Sequence, residues 1–259
     1  MKACVMSRRL FAAGIGCLPA AVFAVDHSNI DEDRPLRMED AYPIAAGELV
    51  AEAGGGFLIP HKGAEQGSFL VQTLYGLFPN AQLEIGSRLF TAPRERQGLE
   101  ASGNINIETL YNFNQETLDI PATAVKLSVL APTGTDSEGV EVEIKGILTK
   151  SLGRLSLHAN AAYEFAPEAE PGVRDGRYEF IVGASYPLGA PHYTRLTLLA
   201  DAYAQQTERF GQRVLVGAEL GFRFQLSPRF VWDAGIASEF RGPNTRSDFA
   251  LTTGLSLSF

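Results

Sequence analysis

The fold is decided by the last twelve residues, Asp248 to Phe259, which read DFALTTGLSLSF. Phe249, Leu251, Thr253, Leu255, Leu257 and Phe259 share one parity; Ala250, Thr252, Gly254, Ser256 and Ser258 share the other. This period of two describes a β-strand with an apolar face and a small, polar face. Chain ends of water-soluble domains are usually frayed and polar, because nothing ties them down. A strand that runs to a terminal aromatic needs a partner strand and an apolar surrounding for one face.

Working back from this strand, the same alternation recurs. Twelve segments are expected as strands, at about 48–58, 67–78, 80–90, 103–113, 121–131, 139–150, 153–165, 177–188, 194–205, 213–226, 229–240 and 248–259. Each is about long enough to cross a bilayer as a tilted strand. In the seventh segment Leu155, Leu157, Ala159, Ala161, Tyr163 and Phe165 oppose Arg154, Ser156, His158, Asn160 and Glu164. A water-soluble sandwich alternates in the same way, so the alternation alone leaves both environments open.

The aromatic residues separate them. Strand middles on the apolar parity are Leu, Val, Ala and Ile, and the rings gather near the ends. Tyr75, Tyr111, Phe113, Tyr186, Phe222, Phe224, Phe230, Trp232 and Phe259 fall at one set of ends. Phe57, Phe69, Tyr163, Phe165, Tyr178, Phe180, Phe240 and Phe249 fall at the other. Two such girdles mark the lipid–water interfaces of a membrane barrel, whereas a soluble core centres its rings. Connections alternate in length, from Pro79-Asn80 and Leu226–Arg229 on one side to Thr91–Gly103 and Pro167–Gly176 on the other. Short turns face the periplasm and long loops the exterior in such barrels. The expected fold is all-β: a transmembrane, antiparallel, up-and-down barrel of about twelve strands over 47–259. Closing the last strand on the first removes the free edge.

Lys2, Arg8 and Arg9 precede an apolar stretch from Leu10 to Phe23, and Ala24 is a small residue at a cleavage position. Residues 1–24 therefore read as a secretory signal peptide. Ser7-Arg8-Arg9-Leu10-Phe11 is similar to a twin-arginine export motif, so that route stands beside general secretion. Both cysteines, Cys4 and Cys17, lie in this leader, which leaves the rest without disulfides or thiolate metal sites. The whole chain has net charge −8; without the leader it is −11, which argues against nucleic acid as a partner. Residues 25–46 are polar, acidic and without periodicity, and read as a loosely docked periplasmic segment.

Chemistry is sparse. Ser156 and His158 share the polar face, but they point into the barrel, away from lipid or peptide substrates. The loop Asp136-Ser137-Glu138 lacks the ordered acidic spacing of a calcium site. No cofactor, metal or catalytic residue is expected. The inward parity is richer. Glu84, Arg88, Glu108, Lys126, Glu141, Glu143, Lys145 and Arg154 are candidates to line the lumen in the first half of the chain. Glu164, Arg195, Asp201, Arg213, Glu219, Arg223, Asp233 and Glu239 continue the set. Such mixed charge either fills a closed pillar with ion pairs or flanks a narrow aqueous path whose acidic excess favours cations.

The alternating final strand with Phe259 resembles bacterial outer-membrane proteins, which implies that Phe259 is read by the barrel-assembly machinery. Arg37-Met38-Glu39-Asp40-Ala41-Tyr42-Pro43 with Gly47-Glu48-Leu49, and Trp232-Asp233-Ala234-Gly235 with Gly254–Phe259, resemble the barrel family named after the meta-pathway of phenol degradation. That resemblance implies an outer-membrane protein in contact with lipid, passing small solutes, aromatic and other hydrophobic compounds among them. The competing expectation is a non-transporting structural or adhesive barrel that acts through its external loops.

Overall fold

The computed structural model describes residues 26–60, 65–90, 103–135, 139–167, 172–190, 194–243 and 247–259. The leader, His61, His192, the loop 136–138 and most of 91–103 lie outside these residues. Twelve strands close into one antiparallel barrel: β1 (Leu49–Pro60), β2 (Gln66–Phe78), β3 (Ala81–Phe90), β4 (Ile105–Asn114), β5 (Ala122–Ala131) and β6 (Glu141–Leu152) form the first half. The second half is β7 (Leu155–Phe165), β8 (Gly176–Leu188), β9 (Leu196–Gln205), β10 (Leu215–Ser227), β11 (Phe230–Arg241) and β12 (Ser247–Ser258). Each boundary falls within two residues of its expected place.

Each strand pairs with its chain neighbour, and β12 returns to β1 with Val50 opposite Ser258 and Gly54 opposite Gly254. The Phe259 amide donates to the Leu49 carbonyl at 2.9 Å, so the terminal aromatic is held where β1 begins. Connections at this terminal end span two to seven residues, and those at the opposite loop end five to fourteen. The outer face is apolar and exposed: Val71, Ile85, Ile107, Leu127, Ile144, Val182, Leu220 and Ile236 occupy mid-strand positions. Rings cluster beyond them, with Phe222 edge-on to Trp232 at 5.0 Å at the terminal end and Tyr178 tilted on Phe180 at 5.5 Å at the loop end. In water this surface would aggregate; in lipid it is the solvated face.

The expectation for the N-terminal segment needs correction. Residues Asp26–Gly47 lie inside the barrel, and Ile30, Leu36, Met38, Ala41 and Ile44 are buried. A loose periplasmic lead-in would leave these side chains wet. The segment enters at the terminal end, where the His27 ring bonds Thr197 Oγ1 at 2.8 Å and the Thr194 carbonyl at 3.1 Å. It climbs to a turn closed by the Arg34 amide on the Asp31 carbonyl, with Asp33 at φ 62°, a left-handed position that Asp tolerates. From Arg34 it descends around the inner wall to Gly47, whose amide donates to Gly76 of β2 at 2.7 Å.

Candidate functional site

The descending limb, Arg34 to Gly47, belongs to no strand, so most of its backbone polar groups need partners from the wall around it. Inward side chains supply them strand by strand. The Arg37 amide donates to Glu219 on β10 at 2.7 Å, and the Met38 amide to Asp201 on β9 at 3.0 Å. Asn160 on β7 takes the Glu39 amide and returns a donor to the Glu39 carbonyl, both at 2.9 Å. The Ala41 amide reaches Thr149 on β6 at 3.0 Å, Asn112 on β4 donates to the Ala41 carbonyl at 2.6 Å, and the Ile44 amide reaches Gln82 on β3 at 2.8 Å.

Charged side chains complete the circuit. Buried Arg34 bridges Glu52 of β1 at 3.0 Å and Asp233 of β11 at 2.5 Å. Between them, on β12, Thr252 donates to the Pro35 carbonyl at 2.8 Å. Arg37 reaches Glu179 of β8 at 3.0 Å and stacks over the Tyr203 ring at 4.1 Å. Lys126 of β5 holds Glu39 at 3.1 Å and Glu32 at 2.6 Å, and its cross-strand neighbour Lys145 also grips Glu32. All twelve strands thus touch the segment.

The wall is also cut to its shape. A Cβ on Gly254 would fall 2.6 Å from Arg34, and on Gly221 2.9 Å from the Pro35 ring. On Gly235 it would fall 3.0 Å from the Pro35 carbonyl and 3.1 Å from Leu36. Apolar inward residues cover what remains, in three groups: Ile30, Leu36 and Met38 with Ile181, Leu199 and Tyr203; Ile44 with Val50, Leu74 and Val231; and Ala41 with Leu110, Ala122, Ala124 and Ile147.

Above the turn a vestibule of about 380 Å³ extends toward the loop end. Glu32, Asp33 and Arg37 of the segment contribute to its lining, and nine carboxylates and five guanidinium groups line it in all, which makes it net acidic. Expected lumen residues Glu84, Arg88, Glu108, Glu141, Glu143 and Glu164 are here. Arg88 pairs with Asp33 at 2.7 Å, and Arg177 gathers Glu164 at 2.7 Å and Glu208 at 2.5 Å. Burial dominates the titration of the segment: it raises Glu39 to about 8, Asp40 to about 7 and Asp31 to about 6. Burial also acts to raise Glu32, but Lys126 and Lys145 outweigh it and hold that carboxyl well below its ordinary range.

The remaining candidates divide. Lys126, Lys145, Asp201, Glu219, Arg223, Asp233 and Glu239 are buried on the inner wall. Arg223 faces Asp31 at 3.4 Å, so it serves the segment. Three assignments are corrected. Arg154 sits in the β6–β7 turn, bonds the Pro187 carbonyl at 2.5 Å and lies over the Tyr186 ring of the outer face. Arg195 and Arg213 precede β9 and β10 and are exposed at opposite barrel mouths. Strand parity does not carry through a connection, which is why counting by twos misplaced all three.

Ser156 and His158 form no dyad: the ring bonds Thr149 at 3.2 Å and Ser185 at 3.0 Å, while Ser156 faces Ser151 at 3.3 Å. The residues that sequence reasoning missed are those of the segment, above all Arg34, Glu32 and Glu39. A signal for them was present: apolar Val50, Leu74, Leu110, Ile147 and Val231 on the inward parity, which neither ion pairs nor an aqueous path would cover.

Solved structures share this architecture. The chain is similar to the COG4313 outer membrane channel from Pseudomonas putida F1, with 12% identity, a TM-score of 0.63, and coverage of 85% of this chain and 98% of that one. The NanC porin aligns at 12% identity and TM-score 0.60 over 80% of this chain and 98% of its own. The KdgM porin aligns at 8% identity and TM-score 0.52 over 82% and 99%. Identities this low speak to the fold, and the fold is that of bacterial outer-membrane barrels. No curated protein matches the chain. The family model described as "Putative MetA-pathway of phenol degradation" matches residues 33–259, from the turn of the inner segment to the final aromatic, and the chain belongs to that family.

Proposed function

We propose that the barrel passes small solutes across the outer membrane by diffusion, entering at the vestibule, with the loop end outside and both termini in the periplasm. The observation that carries this reading is the vestibule itself, a polar cavity of about 380 Å³. A purely structural barrel gains nothing from leaving such a space unfilled. Its lining favours solutes that bear a cationic or hydrogen-bonding group, because carboxylates outnumber guanidinium groups nine to five. Aromatic solutes with a hydroxyl group, phenols among them, fit that description and the family's description alike. An unsubstituted hydrocarbon would leave charged groups desolvated and unpaired.

Single-channel recording in planar bilayers, with flux of phenol and of small organic cations into liposomes, tests this. Cation-preferring conductance and measurable flux are expected. Absence of both would leave the alternative, a barrel that works through its external loops. The loop end is then checked separately: epitope tags in 91–103 should bind antibody on intact cells, and binding only after permeabilisation reverses the orientation.

A further inference from the structure

We infer that residues Arg34–Gly47 are a permanent internal strap, seated as the barrel closes and retained afterwards, and not a gate that leaves the lumen to admit solute. This constrains the transport reading, since solute would then have to pass beside the seated segment; thiol labelling reads the segment alone, and conductance reads the passage.

The first ground is what an empty barrel would contain. Lys126 and Lys145 lie directly opposite each other on β5 and β6, both buried; Glu39 reaches them from the strap and Glu32 from the turn that leads into it. Without the segment, Lys126 keeps only Glu108 of β4 and Lys145 only Glu143 of β6, so the two facing ammonium groups lose two of their four carboxylate partners and repel across the β5–β6 pairing. The apolar inward residues Val50, Leu74, Leu110, Ile147 and Val231 would meet water together. A lumen built to stand open avoids both features.

The second ground is the seam. The barrel closes where β12 meets β1, and Arg34 ties Glu52 of β1 to Asp233 of β11 across Gly254 of β12. Ser256 and Ser258 of β12 donate to Glu52 and Glu48, each at 2.6 Å, on the same side of that seam. The groups that lock the closure are therefore assembled around the segment. Inserting it later would require these contacts to form first without Arg34, leaving Glu52 and Asp233 buried on either side of β12 with no cation between them.

The third ground is fit. Gly183, Gly221, Gly235 and Gly254, on four different strands, leave space that Met38, Leu36, Pro35 and Arg34 fill. A reversible gate needs one surface that releases; here the matching surface runs around the whole wall.

The test uses the full chain with its two cysteines, Cys4 and Cys17, replaced by Ala, so that the introduced thiol is the one that labels. Met38 is fully buried, so a Met38→Cys variant in vesicles reports seating through a water-soluble maleimide. Labelling at least about a thousandfold slower than in the urea-unfolded chain is expected, as for an element that opens only with the whole barrel. Labelling within about tenfold of the unfolded rate overturns the strap and makes the segment a gate. Pulse-labelling during refolding provides the second reading. Thiol protection should appear together with the mobility shift of the closed barrel on unheated gels; closure that precedes protection overturns seating during assembly. Should Met38→Cys fail to fold, Leu36→Cys, at 2% exposure, reports the same opening.

Discussion

The two halves of the lumen follow opposite rules although the same strands build both. At the terminal end the inner wall mixes apolar residues with neutral amides and hydroxyls: Leu74, Leu110, Ile147 and Val231 alternate with Gln82, Asn112 and Thr149, and the segment fills the space between them. At the loop end Glu84, Glu108, Glu143, Glu164 and Arg177 face a cavity. One half is a protein core, the other a hydrated site. In the first, buried charges sit against opposite charges, as Arg34 does between Glu52 and Asp233; in the second, water screens what the pairs leave over. The half that is packed sets the stability, and the half that is open sets what the barrel meets.

That contrast predicts unequal costs for similar changes. Arg34→Met removes the cation shared by Glu52 and Asp233, whose side chains are 0% and 1% exposed. Leaving buried carboxylates unpaired costs about 3–5 kcal/mol, seen as an earlier urea midpoint in vesicles. Arg177→Met in the vestibule, where Glu208 is 40% exposed, should cost no more than about 1 kcal/mol and should shift ion preference instead. Equal losses of stability would erase the distinction between the halves.

Glycines give a finer version of the same comparison. Gly235→Val forces atoms into the Pro35 and Leu36 backbone and side chain, and overpacking of this kind costs about 1–3 kcal/mol. Gly146→Val adds bulk to the outer face, where the nearest atom is 3.9 Å away, and should leave stability within about 0.5 kcal/mol. If the outer variant proves the more harmful, the inner wall is looser than its contacts indicate.

The sequence made one of these halves plain and hid the other. Strand number, strand ends, girdles and closure were all legible, because alternation and ring placement are local signals written along each strand. The inner segment was not, because Arg34 to Gly47 has no period of its own; its partners sit on twelve strands that lie up to some two hundred residues away, as Asp233 does. Its polar residues looked solvated in isolation. Only the apolar inward positions, such as Leu74 and Val231, hinted that something covers them, and a parity count that looks for charge passes over them. Arg154, Arg195 and Arg213 show the converse error, since a charge next to a strand is not yet a charge on its inner face.

The remaining prediction concerns proton uptake by the filled half. Burial raises Asp31 to about 6, Asp40 to about 7 and Glu39 to about 8. Asp40 accepts the Ile30 and Tyr42 amides, each at 2.8 Å, and Glu39 faces Lys126, Lys145, Glu32 and Glu108. A segment released into water would titrate these carboxyls near their ordinary range, so between about pH 4 and pH 8 the seated form binds more protons than the released one. Seating is therefore strongest at the acid side of that window and weakens as pH rises through the raised values. Glu32 has the opposite sign, held low by Lys126 and Lys145, but its contribution is lost only below the ordinary carboxyl range and does not offset the trend. The measurement is the Met38→Cys labelling rate, divided at each pH by that of the urea-unfolded chain to remove the thiol's own ionisation. That ratio should rise by at least about tenfold from pH 5 to pH 8, the effect of Asp31 alone, while remaining below one. A flat ratio would mean that these carboxyls keep their protonation whether the segment is seated or free, and that the filled half is held by shape and the Arg34 bridge alone.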